Sequence, residues 1–256
     1  MRKTYRFIGI TFWMVSFFVR GWLLKCFFRE PVRQRLALAR NTSFISRKLL
    51  PCFGIKVVVN NPENLNFLKR ENHLIVSNHV SYTDILVLAS CHPFIFITST
   101  EMAGNPFLGD ITRIGGSLYT NRKKHTSLPQ EINNFASALQ DGFNLVLFPE
   151  GTSTNGETVR EFRKSLFQTS IIAQKPILPI CVKYKTLDGK PIQTQAQRDI
   201  VCWYGVMTFV PHFLKIISHN TEVEVNILSP LPYDPDKNRQ QLCETVHTQL
   251  LAAFQS

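Results

Sequence analysis

Leu74-Ile75-Val76-Ser77-Asn78-His79-Val80-Ser81-Tyr82-Thr83-Asp84-Ile85-Leu86-Val87-Leu88-Ala89 is the stretch on which the fold turns. Its first four residues are an apolar run of strand length, and Ser81 ahead of Ile85 to Ala89 reads as the N-cap of a helix. His79 and Asp84 stand five positions apart, so on a single helix they would occupy different faces. They meet only if His79 lies in the turn and Asp84 in the first helical turn, reaching back. A carboxylate on one imidazole nitrogen fixes the tautomer and leaves the other nitrogen as a base, able to deprotonate a hydroxyl near neutral pH. A plainer reading stands beside it: Ser81 and Asp84 match a capping box, in which the acid only satisfies backbone amides.

A second site follows another apolar run. Phe148-Pro149-Glu150-Gly151-Thr152 comes directly after Leu145-Val146-Leu147, and ligands of open α/β sheets gather beyond the carboxyl ends of strands. His79 and Glu150 are therefore expected to face one cleft, although Glu150-Gly151-Thr152 alone also reads as an ordinary turn. Between them, Gly115-Gly116-Ser117-Leu118-Tyr119-Thr120-Asn121-Arg122 reads as a glycine turn and a short strand ending in a cation. Arg122 is suited to clamp a phosphate through paired hydrogen bonds, whereas Lys123 and Lys124 read as a solvated basic loop.

Strand patterns also occur at 55–60, 94–98, 177–182, 200–204 and 223–228, and helix patterns at 105–111, 127–140, 161–173 and 236–254. This alternation predicts an α/β fold: a single domain over 51–256 with a mixed, largely parallel sheet flanked by helices. Residues 1–50 are expected to precede it as two membrane-associating helices. Residues 7–19 are almost wholly apolar, Arg20 interrupts, and 21–28 resume, so one helix of about twenty residues just reaches bilayer length. Arg20 and Lys25 would each cost about 2.5–3.5 kcal/mol near the centre. Residues 31–50 read as a basic amphipathic helix with Val32, Leu36, Ala39 and Leu50 on its apolar side, so the pair is expected to dip into one leaflet. A basic start and an apolar stretch also suit a secretory signal, but Arg29-Glu30-Pro31 stands where a small-residue cleavage site belongs.

A formal charge of +11 marks an anionic partner. Nucleic acid is not expected, because the chain has no zinc-ligand spacing, no aromatic RNA-binding signature and no recognition-helix pattern. The six cysteines form no Cys-x-x-Cys pair, and several sit inside apolar runs, as reduced buried thiols do. No metal or cofactor is expected, since His, Cys and carboxylates nowhere cluster at ligand spacing.

Taken in order, these motifs resemble those of the glycerolipid acyltransferases, the family that includes 1-acylglycerol-3-phosphate acyltransferase. His79 and Asp84 match its His-x4-Asp block, Gly116 through Arg122 its glycine-strand-arginine block, Phe148 through Thr152 its Phe-Pro-Glu-Gly-Thr block, and Pro176-Ile177-Leu178-Pro179-Ile180 its apolar proline block. The resemblance implies transfer of an acyl group from a thioester, on coenzyme A or acyl carrier protein as co-substrate, to the hydroxyl of a lysolipid. His79 is then the general base oriented by Asp84, and Arg122, Glu150, Gly151 and Thr152 bind the acceptor, foremost 1-acyl-sn-glycerol-3-phosphate. Membrane lipids become the partners, and the cytoplasmic face of the cell membrane the location. Pro179, Trp203 and Phe209 become candidates for the acyl-donor or acyl-chain site, although core packing accounts for the two aromatics equally well. Ser117, where the family pattern has a bulky residue, and the polar Tyr119-Thr120 depart from it. Ser153-Thr154-Asn155-Gly156 and Phe162-Arg163-Lys164-Ser165-Leu166-Phe167 look most like the bacterial branch that includes lyso-ornithine-lipid acyltransferases, whose acceptor lacks a glycerol phosphate.

Two other classes fit the sequence less well. A lipase or thioesterase would want a Gly-x-Ser-x-Gly elbow, and Gly115-Gly116-Ser117-Leu118-Tyr119 fails at the last position. A non-catalytic basic membrane adaptor would explain the charge and the N-terminal helices, but would leave His79, Asp84, Arg122 and Glu150 idle.

Overall fold

The structure is a computed structural model that describes residues 2–106, 108–121 and 125–256. In chain order its elements are α1 (Arg2–Phe27), α2 (Pro31–Phe53), β1 (Ile55–Asn60), β2 (Leu74–Ser77), α3 (Thr83–Cys91), β3 (Ile95–Ser99), α4 (Thr100–Ala103), α5 (Leu108–Ile114) and β4 (Leu118–Thr120). They continue with α6 (Leu128–Gln140), β5 (Leu145–Leu147), α7 (Gln168–Ala173), β6 (Ile177–Leu187), β7 (Lys190–Pro191), α8 (Gln195–Val201), α9 (Phe209–Ile216), β8 (Thr221–Ile227) and α10 (Arg239–Gln255).

The strands form one sheet in the order β1-β8-β6-β2-β5-β3-β4, with β7 beside the end of β6. Pairings are parallel except those of β6 with β8 and with β7. Each residue of β2 is buried, because helices cover both faces of the sheet. Leu74 and Val76 pack in one core with Phe135, Leu139, Phe167 and Val246, whereas Ile75 packs in another with Val87, Leu88, Leu49 and Phe53. Successive side chains of a strand point to opposite faces, so this short strand ties both cores together. The mixed, largely parallel sheet agrees with the expected α/β class.

The N-terminal helices pack as an antiparallel pair: Gly9 lies against Cys52, Trp13 against Phe44, and Arg20 donates to Asn41 Oδ1 at 2.9 Å. Arg20 thus turns toward α2, its guanidinium 4.7 Å from the Phe44 ring centre. Glu30 caps α2 by accepting from the amides of Val32 and Arg33, and Gly54 ends it in the left-handed region at φ 73°. Ile45, Leu49, Leu50 and Phe53 of α2 join the core under the sheet. At the other end, Arg6 donates to the carbonyls of Ile217 at 2.9 Å and His219 at 2.6 Å, clipping α1 to the loop after α9. The segment Lys3–Phe27 is long and apolar enough to cross a membrane by length and composition.

Several expectations are corrected. Residues 200–204 are not a strand: Thr194 and Gln197 form a capping box that starts α8, and the chain then runs extended from Cys202. Their apolar character reflects burial at a helix end. The helix expected at 161–173 reduces to a 3-10 turn at Lys164–Phe167 and α7, because Arg163 is held extended by a hydrogen bond from its N–H to Pro149 O at 2.9 Å. The helix expected at 105–111 starts later, as α5 at Leu108–Ile114, and the short α4, capped by Ser99, precedes that range. Lastly, the Ser81 hydroxyl makes no hydrogen bond to the protein among the described residues, and α3 begins two residues later.

Candidate active site

The ends of β2 and β5 are neighbours, so the residues that follow each strand meet. Asn78 extends the β2–β6 ladder with its side chain, accepting from Val182 N and donating to Val182 O, both at 2.8 Å. The chain then turns at His79. The carboxylate of Asp84 reaches back across that turn, and its Oδ2 accepts from His79 Nδ1 at 2.9 Å, Val80 N at 2.7 Å and Ser81 N at 2.9 Å. Asp84 therefore satisfies backbone amides of the turn and holds the imidazole at once, while the serine half of the capping box is not formed.

A carboxylate with no exposed surface must have its charge hydrogen-bonded. Its other oxygen, Oδ1, accepts from the Tyr184 hydroxyl at 2.8 Å, and that hydroxyl lies 2.6 Å from Thr83 Oγ1. As Tyr184 spends its proton on Asp84, the Thr83 hydroxyl is the donor between them. An acceptor-only carboxylate places the imidazole proton on Nδ1 and leaves the lone pair on Nε2, which no described residue hydrogen-bonds.

Two residues of the second motif, Phe148 and Glu150, act on this turn. Phe148 stacks on the His79 ring at 4.2 Å and 19°. Glu150, 6% exposed, accepts from His79 N through Oε1 at 2.7 Å and from Arg160 N through Oε2 at 3.0 Å. Burial pushes its carboxyl up to about 7, outweighing the two backbone amides that favour its charge. Thr154 N donates to His79 O at 3.0 Å, which clamps the loop from below.

Beside Phe148 opens a cavity of about 120 Å³ whose lining includes Thr120, Asn121, Gly151, Arg163 and Ser165. Gly151 borders it at φ 77°, and Glu150 does not line it. Thr152 is exposed. Arg122, Lys123 and Lys124 lie outside the described residues, but Asn121, the residue before them, is at the cavity wall. The backbone N–H of Trp203 donates to Val80 O at 2.8 Å, and the rings of Trp203 and Phe209 lie 5.8 and 5.0 Å from that of Tyr82, so both aromatics converge on the His79 loop. Pro179 is buried in β6 in register with Val76 and stays within the sheet. Among the described residues no group of three His, Cys, Asp or Glu is placed to hold a metal ion.

Residues 56–183, half of the chain, match the family model described as Acyltransferase. The chain belongs to the Acyltransferase family. It is 30% identical over 186 residues to a lyso-ornithine lipid O-acyltransferase of Rhizobium meliloti, covering 70% of this chain and 63% of that protein. It is 28% identical over 146 residues to a 1-acyl-sn-glycerol-3-phosphate acyltransferase of Neisseria gonorrhoeae, covering 56% of this chain and 57% of the other. The match thus spans less than two thirds of either relative. The crystal structure of the 1-acyl-sn-glycerophosphate acyltransferase PlsC from Thermotoga maritima shares the fold, with a TM-score of 0.69 at 17% identity over 100% of this chain and 97% of that one.

Tyr184 and the interlocked roles of Phe148 and Glu150 were not readable from the sequence. Tyr184 lies 100 residues from Asp84 and is joined to it only by the sheet.

Proposed function

We propose that this Acyltransferase family member transfers a fatty acyl group from an acyl thioester, on coenzyme A or acyl carrier protein, to the free hydroxyl of a lysolipid. The observation that carries the reading is the His79–Asp84 pair with Nε2 free to take a proton. Nε2 removes the hydroxyl proton as the oxygen attacks the thioester carbonyl. The new C–O bond forms, the C–S bond breaks, and the imidazolium returns the proton to the departing thiolate, with no acyl-enzyme. Asp84 holds the ring and stabilises its charged form, a role that Tyr184, Thr83 and the loop amides support by fixing the carboxylate.

The acceptor we propose is 1-acyl-sn-glycerol-3-phosphate, giving phosphatidic acid, with Arg122, Gly151 and Thr152 on its head group and Glu150 acting through the His79 loop. Trp203 and Phe209 flank the acyl chain. The similarity to the Rhizobium meliloti protein favours a second reading, O-acylation of a lyso-ornithine lipid. In either case the exposed apolar side of α1, with Ile8, Phe12, Val15, Val19 and Trp22, lies in the cytoplasmic leaflet of the cell membrane. The test is to offer the purified protein one labelled acyl-coenzyme A with a panel of lysolipids and identify the acylated product by mass. Product on a lysolipid supports the reading, and release of free fatty acid alone contradicts it.

A further inference from the structure

Arg163 stands outside the four family motifs, yet its guanidinium packs face-on against Gly151. A Cβ built on that glycine would stand 2.9 Å from both Cζ and Nε and 3.2 Å from Nη1. The contact is held from both sides. The N–H of Arg163 donates to Pro149 O at 2.9 Å, and Gly151 adopts φ 77°, where a side chain is disfavoured. The glycine of the second motif thus makes room for a cation.

That cation borders the cavity beside Phe148, together with Asn121 and Ser165. At about 120 Å³ the cavity far exceeds the roughly 10–15 Å³ needed to seat one water. No described carboxylate pairs with Arg163, and no described side chain hydrogen-bonds it. Glu131, on the β4 side, is engaged by Thr120 Oγ1 at 2.6 Å, Ser127 Oγ at 2.7 Å and the Asn121 amide. A planar guanidinium at a cavity wall, with no counter-charge paired to it among the described residues, suits paired hydrogen bonds to an oxyanion. Phe148 lines this cavity and stacks on the imidazole at 4.2 Å, so the cavity lies one ring from His79.

We propose that Arg163 selects the acceptor by binding an oxyanion of the lysolipid head group in the cavity between Asn121, Gly151 and Ser165. The inference rests on the acyltransferase reading. A phosphate monoester and the carboxylate of an ornithine head group offer the same oxyanion chemistry, so the experiment separates them.

Initial rates are measured with full-length protein in detergent micelles, with one acyl-coenzyme A and three acceptors that share one acyl chain: 1-acylglycerol-3-phosphate, lyso-ornithine lipid and neutral monoacylglycerol. The anionic acceptor that wild type uses better identifies the source of the oxyanion. Arg163→Gln lowers kcat/KM for that acceptor about ten- to a hundredfold, as loss of a hydrogen bond to a charged group does. The loss falls on acceptor KM, leaves the acyl-donor KM unmoved, and is partly recovered by Arg163→Lys. Transfer to monoacylglycerol is unchanged. Equal loss with the neutral acceptor, or no loss with the anionic one, in variants that keep the wild-type melting temperature, overturns the assignment. A wild type idle on all three acceptors overturns the acyltransferase reading, and the assignment falls with it.

Discussion

The hydroxyl of Tyr184 donates to Oδ1 of Asp84 at 2.8 Å, so the carboxylate that orients His79 is gripped from the opposite side of the site by a strand 100 residues away. Tyr184→Phe removes that donor and leaves the Thr83 hydroxyl without its partner. Hydrogen bonds to charged groups contribute about 1.5–3 kcal/mol, and the loss is divided between stability and turnover. We expect kcat to fall about tenfold with acceptor and donor KM unchanged, and the downfield Nδ1 proton resonance of His79 to move. An unchanged resonance and unchanged kcat would reduce Tyr184 to a core residue.

Gly151→Ala tests the other wall of the site. The left-handed backbone alone costs about 1–2 kcal/mol for a residue with a side chain, and the new methyl would push the Arg163 guanidinium aside. The variant should melt lower than wild type and show a raised acceptor KM. A wild-type acceptor KM would show that the position of Arg163 does not matter.

Glu150 offers a test by pH. Its folded-state pKa, about 7, lies above the ordinary 4.5, so the folded protein binds the extra proton between these values. Stability from this group is therefore fully present below about pH 4.5 and is lost as pH rises through about 7. Glu150→Gln cannot titrate. The melting temperature of wild type relative to this variant should fall across that window and run level above it, and a difference that rises with pH would reverse the assignment.

Membrane attachment is tested on α1. Phe12 and Trp22 are 62% and 64% exposed on its outer side, and burying such a side chain in an apolar phase contributes about 1.5–3 kcal/mol. Phe12→Glu and Trp22→Glu should each weaken co-sedimentation with anionic vesicles by at least about tenfold while leaving the melting temperature in place. Full sedimentation of the double variant would move the attachment surface elsewhere.

What the sequence disclosed follows the range of each interaction. The strand ends at Ser77 and Leu147 were legible because parallel strands covered on both faces are continuous apolar runs, and His79 with Asp84 was legible because the contact closes within one turn. Arg163 was read as the interior of a helix, since its extended backbone depends on Pro149 O, a tertiary partner that local propensity does not register. Trp203 and its neighbours were read as a strand because an apolar run of that length fits a strand or a buried helix end alike. Tyr184 had no signal, since its position in β6 is that of any buried aromatic until the register with β2 brings it to Asp84.

The most direct test of the account measures acyl transfer from labelled acyl-coenzyme A to 1-acylglycerol-3-phosphate by wild type and His79→Ala, with the lyso-ornithine lipid run in parallel. If His79 is the general base, wild type yields the acylated lipid by mass and His79→Ala loses about a hundredfold to ten-thousandfold in kcat with acyl-donor binding intact. Near-normal turnover by a folded His79→Ala protein would contradict the account and leave Asp84 only to hold the backbone amides of Val80 and Ser81.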